Sequence, residues 1–327
     1  MSLVVVTGAS GHIGANLVKQ LLADGRSVRA LYHRSKGLLE DESIEWVQGD
    51  VRDKDTLLNA FKGAETVFHL AAMISIEGDL DGLVNAVNVE GARNVAQACL
   101  TCGVKRLVHF SSIHAFNQSP LNEVLDETRA RATGQHHNAY DRSKAAGEAK
   151  VREVIAQGLD CVFVHPSGVI GPFDGEPSRM GQVFLDLYHG ALPALIDGGF
   201  DWVDVRDVVS GAVAAETQGR CGENYLLTGK WRSVKDLADI AAGITGKKRP
   251  TMVTPMWLAR GWAPFQAAFD RMRGKRPLYT SESLEALRAN KQVDHGKAER
   301  ELGHTPRPIE ESIKDIYAWF EKVGKLS

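Results

Sequence analysis

Residues Val4 to Gly14 read VVVTGASGHIG, a β-branched run that stops at three closely spaced glycines and gives way to an amphipathic stretch from Ile13 to Ala23. Consecutive valines favour an extended strand, and glycine is needed where a Cβ would strike a ligand or where φ is positive. A strand, a tight turn and a helix N-terminus in that order gather backbone N–H groups and the positive end of the helix dipole at one point. An anionic phosphate is stabilised there. Gly8, Ser10, Gly11, His12, Ile13 and Gly14 are therefore the candidate contacts to a dinucleotide pyrophosphate, because the glycines sit in the strand-turn-helix context that such binding requires.

The pattern continues on the C-terminal side of this turn. Further strands are expected at Ser27 to Tyr32, Ile44 to Gln48, Thr66 to Leu70, Arg106 to Phe110 and Cys161 to His165. Helical periodicity lies between them, at Lys54 to Phe61, Leu83 to Cys102 and Tyr140 to Gln157. Such alternation predicts βαβ units and an α/β fold, a Rossmann-type doubly wound parallel sheet. The strands are apolar almost throughout, as in a sheet covered on both faces.

The second half is richer in helix, with candidates at Ser233 to Thr245, Pro255 to Arg273, Ser281 to Arg288 and Ile309 to Val323, and a strand near Asn224. It predicts a smaller, mainly helical substrate-binding domain. Residues 1–165 form the dinucleotide-binding domain in this reading, with 200–216 returning to it as strand then helix. Residues 166–199 and 217–327 form the substrate domain.

Composition narrows the function classes. Of 327 residues, 43% are hydrophobic and 24% charged, an ordinary globular balance, and the net charge of -2 offers nothing to nucleic acid or an anionic membrane. No apolar run approaches the roughly 18 residues of a membrane span. The first residues lack the basic region and cleavage site of a signal peptide, so a cytoplasmic location is expected. Cys99 and Cys102 form a lone C-x-x-C without a second ligand pair, which reads as reduced thiols on a helix and predicts no metal site.

The end of the second strand bears on which dinucleotide binds. NAD sites place a carboxylate there for the ribose 2′-OH, whereas this chain has His33, Arg34, Ser35 and Lys36. Cations at that position suit a 2′-phosphate, Arg34 best of all with its planar fork of donors. NADP is expected, with NAD possible. Asp50 and Val51 follow the third strand, where an acid can accept from the adenine amino group. Leu70, Ala71 and Ala72 end the fourth, where small side chains leave room for a ribose.

Tyr140 and Lys144 stand four apart in NAYDRSKAAGEA and share a helix face. A phenol titrates near 10, too high for easy proton exchange at neutral pH. A neighbouring ammonium and a cationic nicotinamide lower that value. Tyr140 then serves as proton donor to a carbonyl or acceptor from a hydroxyl. Ser112 closes the fifth strand on the same rim and can hold the substrate oxygen in line.

These pieces together resemble the extended short-chain dehydrogenase/reductase superfamily, the NAD-dependent epimerase/dehydratase family, over nearly the whole chain. The matching motifs are TGASGHIG, GDV, HLAA, NVEG, SS, YDRSK, PSGVIGP and WVDVRDVV. The nearest likeness is to the dihydroflavonol 4-reductase and 3β-hydroxysteroid dehydrogenase-like branch. The resemblance implies Ser112, Tyr140 and Lys144 as catalytic residues and Asn88 as a support beside the nicotinamide. It also implies contacts from Pro166, Gly168 and Val169 to the nicotinamide amide. Two departures stand out. Reductases of this branch often carry Arg where this chain has His33, so Arg34 must reach from one position later. Sugar-nucleotide relatives often have Asn after the sixth strand, where this chain has His165, Pro166 and Ser167.

The function expected is NADPH-dependent reduction of a ketone or aldehyde of dihydroflavonol- or ketosteroid-like character. The alternatives are an NAD-dependent sugar-nucleotide epimerase or dehydratase, and a non-catalytic dinucleotide sensor. A small-molecule carbonyl or alcohol is the expected partner, with neither nucleic acid nor membrane, and a homodimer is possible. His136 and His137 read as loop residues, Tyr32 and Trp202 as packing, and the Arg271 to Arg276 cluster as a solvated turn. The 117–138 loop and Met180 are expected as walls of a substrate pocket.

Overall fold

The computed structural model describes residues 2–39, 43–76, 78–263 and 280–327. The basic cluster from Arg271 to Arg276 and the end of the helix expected from Pro255 to Arg273 lie outside the described residues; helix is present at 256–263.

Seven strands form the central sheet: β1 (Leu3–Thr7), β2 (Ser27–Tyr32), β3 (Glu45–Gln48), β4 (Thr66–His69), β5 (Arg106–Phe110), β6 (Cys161–Pro166) and, from far along the chain, β10 (Asn224–Leu227). Their order is β10-β6-β5-β4-β1-β2-β3, and every pairing is parallel. The chain moves from β1 outward to β3, then returns to β4 on the other side of β1. That reversal opens a crevice beyond the carboxyl ends of β1 and β4, the place where doubly wound sheets bind ligands.

Apolar strands demand cover on both faces, and helices supply it. One face packs with α1 (His12–Ala23) and, after intervening helices, α7 (Val205–Gln218), around Leu17, Val18, Leu21, Val208 and Ala212. The other packs with α2 (Lys54–Phe61), α4 (Gly91–Thr101) and α5 (Ala139–Ile155), around Leu57, Phe61, Val95, Val151 and Phe163. The stretch expected as one helix from Leu83 to Cys102 is three pieces: α3 (Leu83–Asn85), a π-helical turn at Ala86–Glu90, and α4.

Two expectations about the second half need correction. NYLLT near Asn224, assigned to the substrate domain, is the β10 edge strand, hydrogen-bonded to β6. The strand before α7, β9 (Gly199–Asp204), does not rejoin the main sheet. It pairs with β7 (Gly168–Ile170) and β11 (Lys230–Ser233) in a separate three-stranded sheet, and the helix that follows it is what returns to the Rossmann face. A further apolar cluster holds α6 (Arg179–His189), α8 (Val234–Thr245) and the C-terminal helix Ile309–Lys322 over this smaller sheet.

Candidate active site

The glycine turn has the shape its sequence promised. Gly8 adopts φ 71°, and a Cβ there would stand 2.7 Å from the Ala71 nitrogen. A Cβ at Gly14 would overlap the Gly8 carbonyl, so turn and helix pack backbone to backbone. Gly11 caps α1 without any side-chain hydrogen bond to the helix. The first N–H groups of α1 therefore receive no side-chain cap, which fits a pyrophosphate. The His12 ring and the Asn16 amide both bond the Pro172 carbonyl (3.0 and 3.1 Å), holding the chain after β7 beside the turn. Ser10 is exposed and Ile13 leans on the core.

The residues expected along the cofactor lie at the ends of β2, β3 and β4. Arg34 is exposed, with no side-chain partner among the described residues, and no carboxylate directly follows β2. Asp50 is less available than expected, since Arg52 holds both its oxygens (Nη2 to Oδ2, 2.5 Å) and His33 Nε2 lies 3.4 Å away. The hydrogen bond from Arg52 holds its carboxyl below the usual range. Val51 is buried beneath Gly91. Leu70 and Ala71 are half-buried, Ala72 is exposed, and the Ala71 N–H meets Thr7 Oγ1 at 3.3 Å.

Asn88 is buried on the π-helical turn. Its amide accepts from the Met73 N–H (2.7 Å) and donates to the Met73 carbonyl and to Ser143 Oγ (both 2.9 Å). It thus clamps the segment after β4 to the catalytic-candidate helix. Gly147, which sequence reasoning passed over, makes this approach possible, because a Cβ there would run into the Asn88 carbonyl.

Ser112, Tyr140 and Lys144 lie at the carboxyl end of β5, where α5 packs on the turn that follows it. Ser112 follows β5 and accepts from the His114 N–H at 3.2 Å. Tyr140 opens α5, which Asn138 caps through the Asp141 N–H. Burial pushes the Tyr140 phenol up to about 12, against a lowering hydrogen bond with Ser112. Lys144 is buried one turn further on and donates to the Phe110 carbonyl at 2.8 Å. Burial pulls its ammonium down to about 8, partly offset by the Glu148 carboxylate.

His114, Phe200 and Glu148 carry no sequence signal of their own and are found here. The His114 ring lies flat against Phe200 (centroids 5.5 Å apart, planes 16° apart), edge-on to Tyr140 at 6.0 Å, with Nδ1 3.2 Å from Asp141. Phe200 continues into Trp202, whose packing role was expected, and Gly168 lies against both rings. Pro166 is buried, while Gly168 and Val169 are half-buried. The 117–138 loop is tied down at two interior points, Arg131 bridging to Phe116 and Leu125 to Val293. Met180 packs into the C-terminal cluster. His136 and His137 stack on each other at 4.0 Å. Tyr32 packs edge-on to Trp46 at 5.8 Å. Cys99 is buried, Cys102 half-buried, and burial pushes both thiols up.

A glycine turn at a sheet's reversal point and a Ser, Tyr and Lys cluster on the same rim define a dinucleotide-dependent oxidoreductase. Comparison with known proteins agrees. The NAD dependent epimerase/dehydratase family matches residues 4–227, and the chain belongs to this family. It is 35% identical to Sterol demethylase protein B of Methylococcus capsulatus, over 98% of this chain and 99% of that one. It is 31% identical to a putative dihydroflavonol 4-reductase of Synechocystis, over 98% and 94% of the two chains. Among solved structures, that of gox2253 superposes over 100% of both chains with a TM-score of 0.86 and 31% identity. The fold is accordingly that of the extended short-chain dehydrogenase/reductases, and the family is one of NAD(P)-dependent dehydrogenases, reductases and epimerases. Among the described residues, no helix is long and apolar enough to cross a membrane.

Proposed function

We propose that the chain reduces a ketone or aldehyde on an apolar, sterol- or dihydroflavonol-like small molecule, with Tyr140 as proton donor. NADPH, when bound, supplies the hydride to the carbonyl carbon. In this reading the α1 N-terminus with Gly8, Gly11 and Gly14 holds the pyrophosphate, Arg34 meets the 2′-phosphate, and Leu70 to Ala72 line the ribose. Ser112 and Tyr140 grip the substrate oxygen, Tyr140 releases its proton to that oxygen, and the Lys144 ammonium stabilises the phenolate left behind. Asn88 supports the floor, and Pro166 to Val169 face the nicotinamide.

The observation that carries the reading is the packing of the turn that Ser112 opens, after β5, against the α5 helix that bears Tyr140 and, one helical turn on, Lys144. It lies on the carboxyl-end rim where the glycine turn leaves its N–H groups uncapped. The preference for NADP rests on the absence of an acid directly after β2 and on Arg34, which has no side-chain partner among the described residues. The apolar substrate rests on the Phe200 and His114 wall, and the printed names of the two relatives support it.

The test is to release and weigh any nucleotide that co-purifies, then to supply NADPH or NADH with a carbonyl panel that includes dihydroflavonols and ketosteroids. NADPH consumption matched by alcohol product is expected. Tightly retained NAD with no net turnover contradicts the reading and indicates an enzyme that returns the hydride to its substrate.

A further inference from the structure

Tyr140, Lys144 and Glu148 follow one another at four-residue steps along one face of α5. Glu148 is 1% exposed, yet three elements converge on its carboxylate. Ser111, the neighbour of Ser112 at the end of β5, donates its hydroxyl to Oε1. His165 of β6 meets the same oxygen through Nε2 at 2.8 Å, and Arg131 of the 117–138 loop reaches Oε2 at 2.9 Å. Phe110, which accepts from Lys144, directly precedes Ser111.

We propose that Glu148 is a positioning residue of the Ser112, Tyr140 and Lys144 site: its buried carboxylate, one helical turn from Lys144 and not in a direct ion pair with it, supports the ammonium charge at longer range and bolts the strand end that bears Ser112 to the helix that bears Tyr140. This rests on the catalytic reading given above. A buried carboxylate without partners is costly, and the partners here are arranged to keep it ionised. Burial would push the Glu148 carboxyl up, but the Arg131 guanidinium and the hydrogen bonds with His165 and Ser111 oppose that and hold it below the usual range.

The other groups facing Lys144 from the sheet are His69 of β4, His109 of β5 and His165 of β6. Burial lowers all three, so they stay neutral, and Arg131 pairs with the carboxylate through Oε2. Among the described residues, Glu148 is the anion that supports the Lys144 charge. Without that charge, the ammonium becomes an isolated buried cation and tends to lose its proton.

The test follows the ammonium itself. Lysine side-chain NMR of the full chain, with the Lys144 signal assigned by Lys144→Met, gives the pH at which it deprotonates. Parent, Glu148→Gln, Glu148→Asp and Arg131→Gln are compared. Glu148→Gln should titrate about one pH unit lower than the parent, with Glu148→Asp restoring most of the difference. Arg131→Gln should move the midpoint upward, and it carries the test alone if Glu148→Gln does not fold. The alkaline fall of the reduction rate should shift in step. A Lys144 midpoint unmoved in the folded variants overturns the proposal, even if their rates drop equally at all pH values. Because the NMR titration needs no turnover, its outcome is separate from that of the catalytic reading, which Tyr140→Phe decides.

Discussion

At neutral pH Tyr140 is fully protonated, since burial holds its phenol at about 12. That suits a proton donor in reduction, provided something stabilises the phenolate as the proton leaves. Lys144 does so only while charged, and burial has brought it down to about 8. The sign of the pH dependence follows. Below that value the ammonium is present and reduction proceeds; as pH rises through about 8 it is lost and kcat for reduction should fall, while Tyr140 keeps its proton. A kcat profile flat from pH 7 to roughly 9.5 contradicts this account, given the usual tie between catalytic pKa and rate. Arg34 offers a second residue-level prediction. Arg34→Ala should lower kcat/KM for NADPH by about tenfold or more and leave NADH nearly untouched, since a guanidinium–phosphate contact is worth about 1.5–3 kcal/mol. Equal losses with both cofactors would place the 2′-phosphate elsewhere. The residues found by motif were legible because their chemistry depends on local spacing. Glu148, His114 and Phe200 were not, since their significance arises only when β5, β6 and β9 bring distant side chains together.

Among the elements, β1, β2, β4, β5 and β6 were legible because buried parallel strands are continuous apolar runs. The short strands β7 and β11, and the pair β8 (Leu195–Ile196) and β12 (Val253–Thr254), were not; such short runs outside the regular strand-helix alternation carry no periodicity to read. The interruption of the helix between Leu83 and Cys102 was equally hidden. The π-helical turn is stabilised from outside, by the Asn88 clamp on Met73 and Ser143, and such turns recur at functional sites. Gly147 tests whether that close approach matters. Gly147→Ala should push α5 from the turn, cost about 1–3 kcal/mol and lower the melting temperature by several degrees, with kcat reduced. A variant as stable and active as the parent would mean that the two elements separate at no cost.

For the molecule as a whole, the parallel order and its reversal at β1 follow from the strand-helix alternation of the first half. The wandering of the second half does not, because β10 completes the main sheet from a region whose composition resembles its helical neighbours. A cofactor bound across the β1–β4 crevice should stabilise the entire domain. Saturation at about a hundred times the dissociation constant contributes roughly 2.7 kcal/mol. NADP⁺ should therefore raise the melting temperature by several degrees, and more than NAD⁺ does at equal concentration. No shift with either would remove the binding site from the crevice. The most direct measurement of the central claim is NADPH oxidation on the carbonyl panel by parent and Tyr140→Phe, with cofactor affinity checked in both. The expected result is a loss of about 10²–10⁴-fold in kcat with NADPH binding preserved; a Tyr140→Phe enzyme that consumes NADPH as fast as the parent contradicts the account.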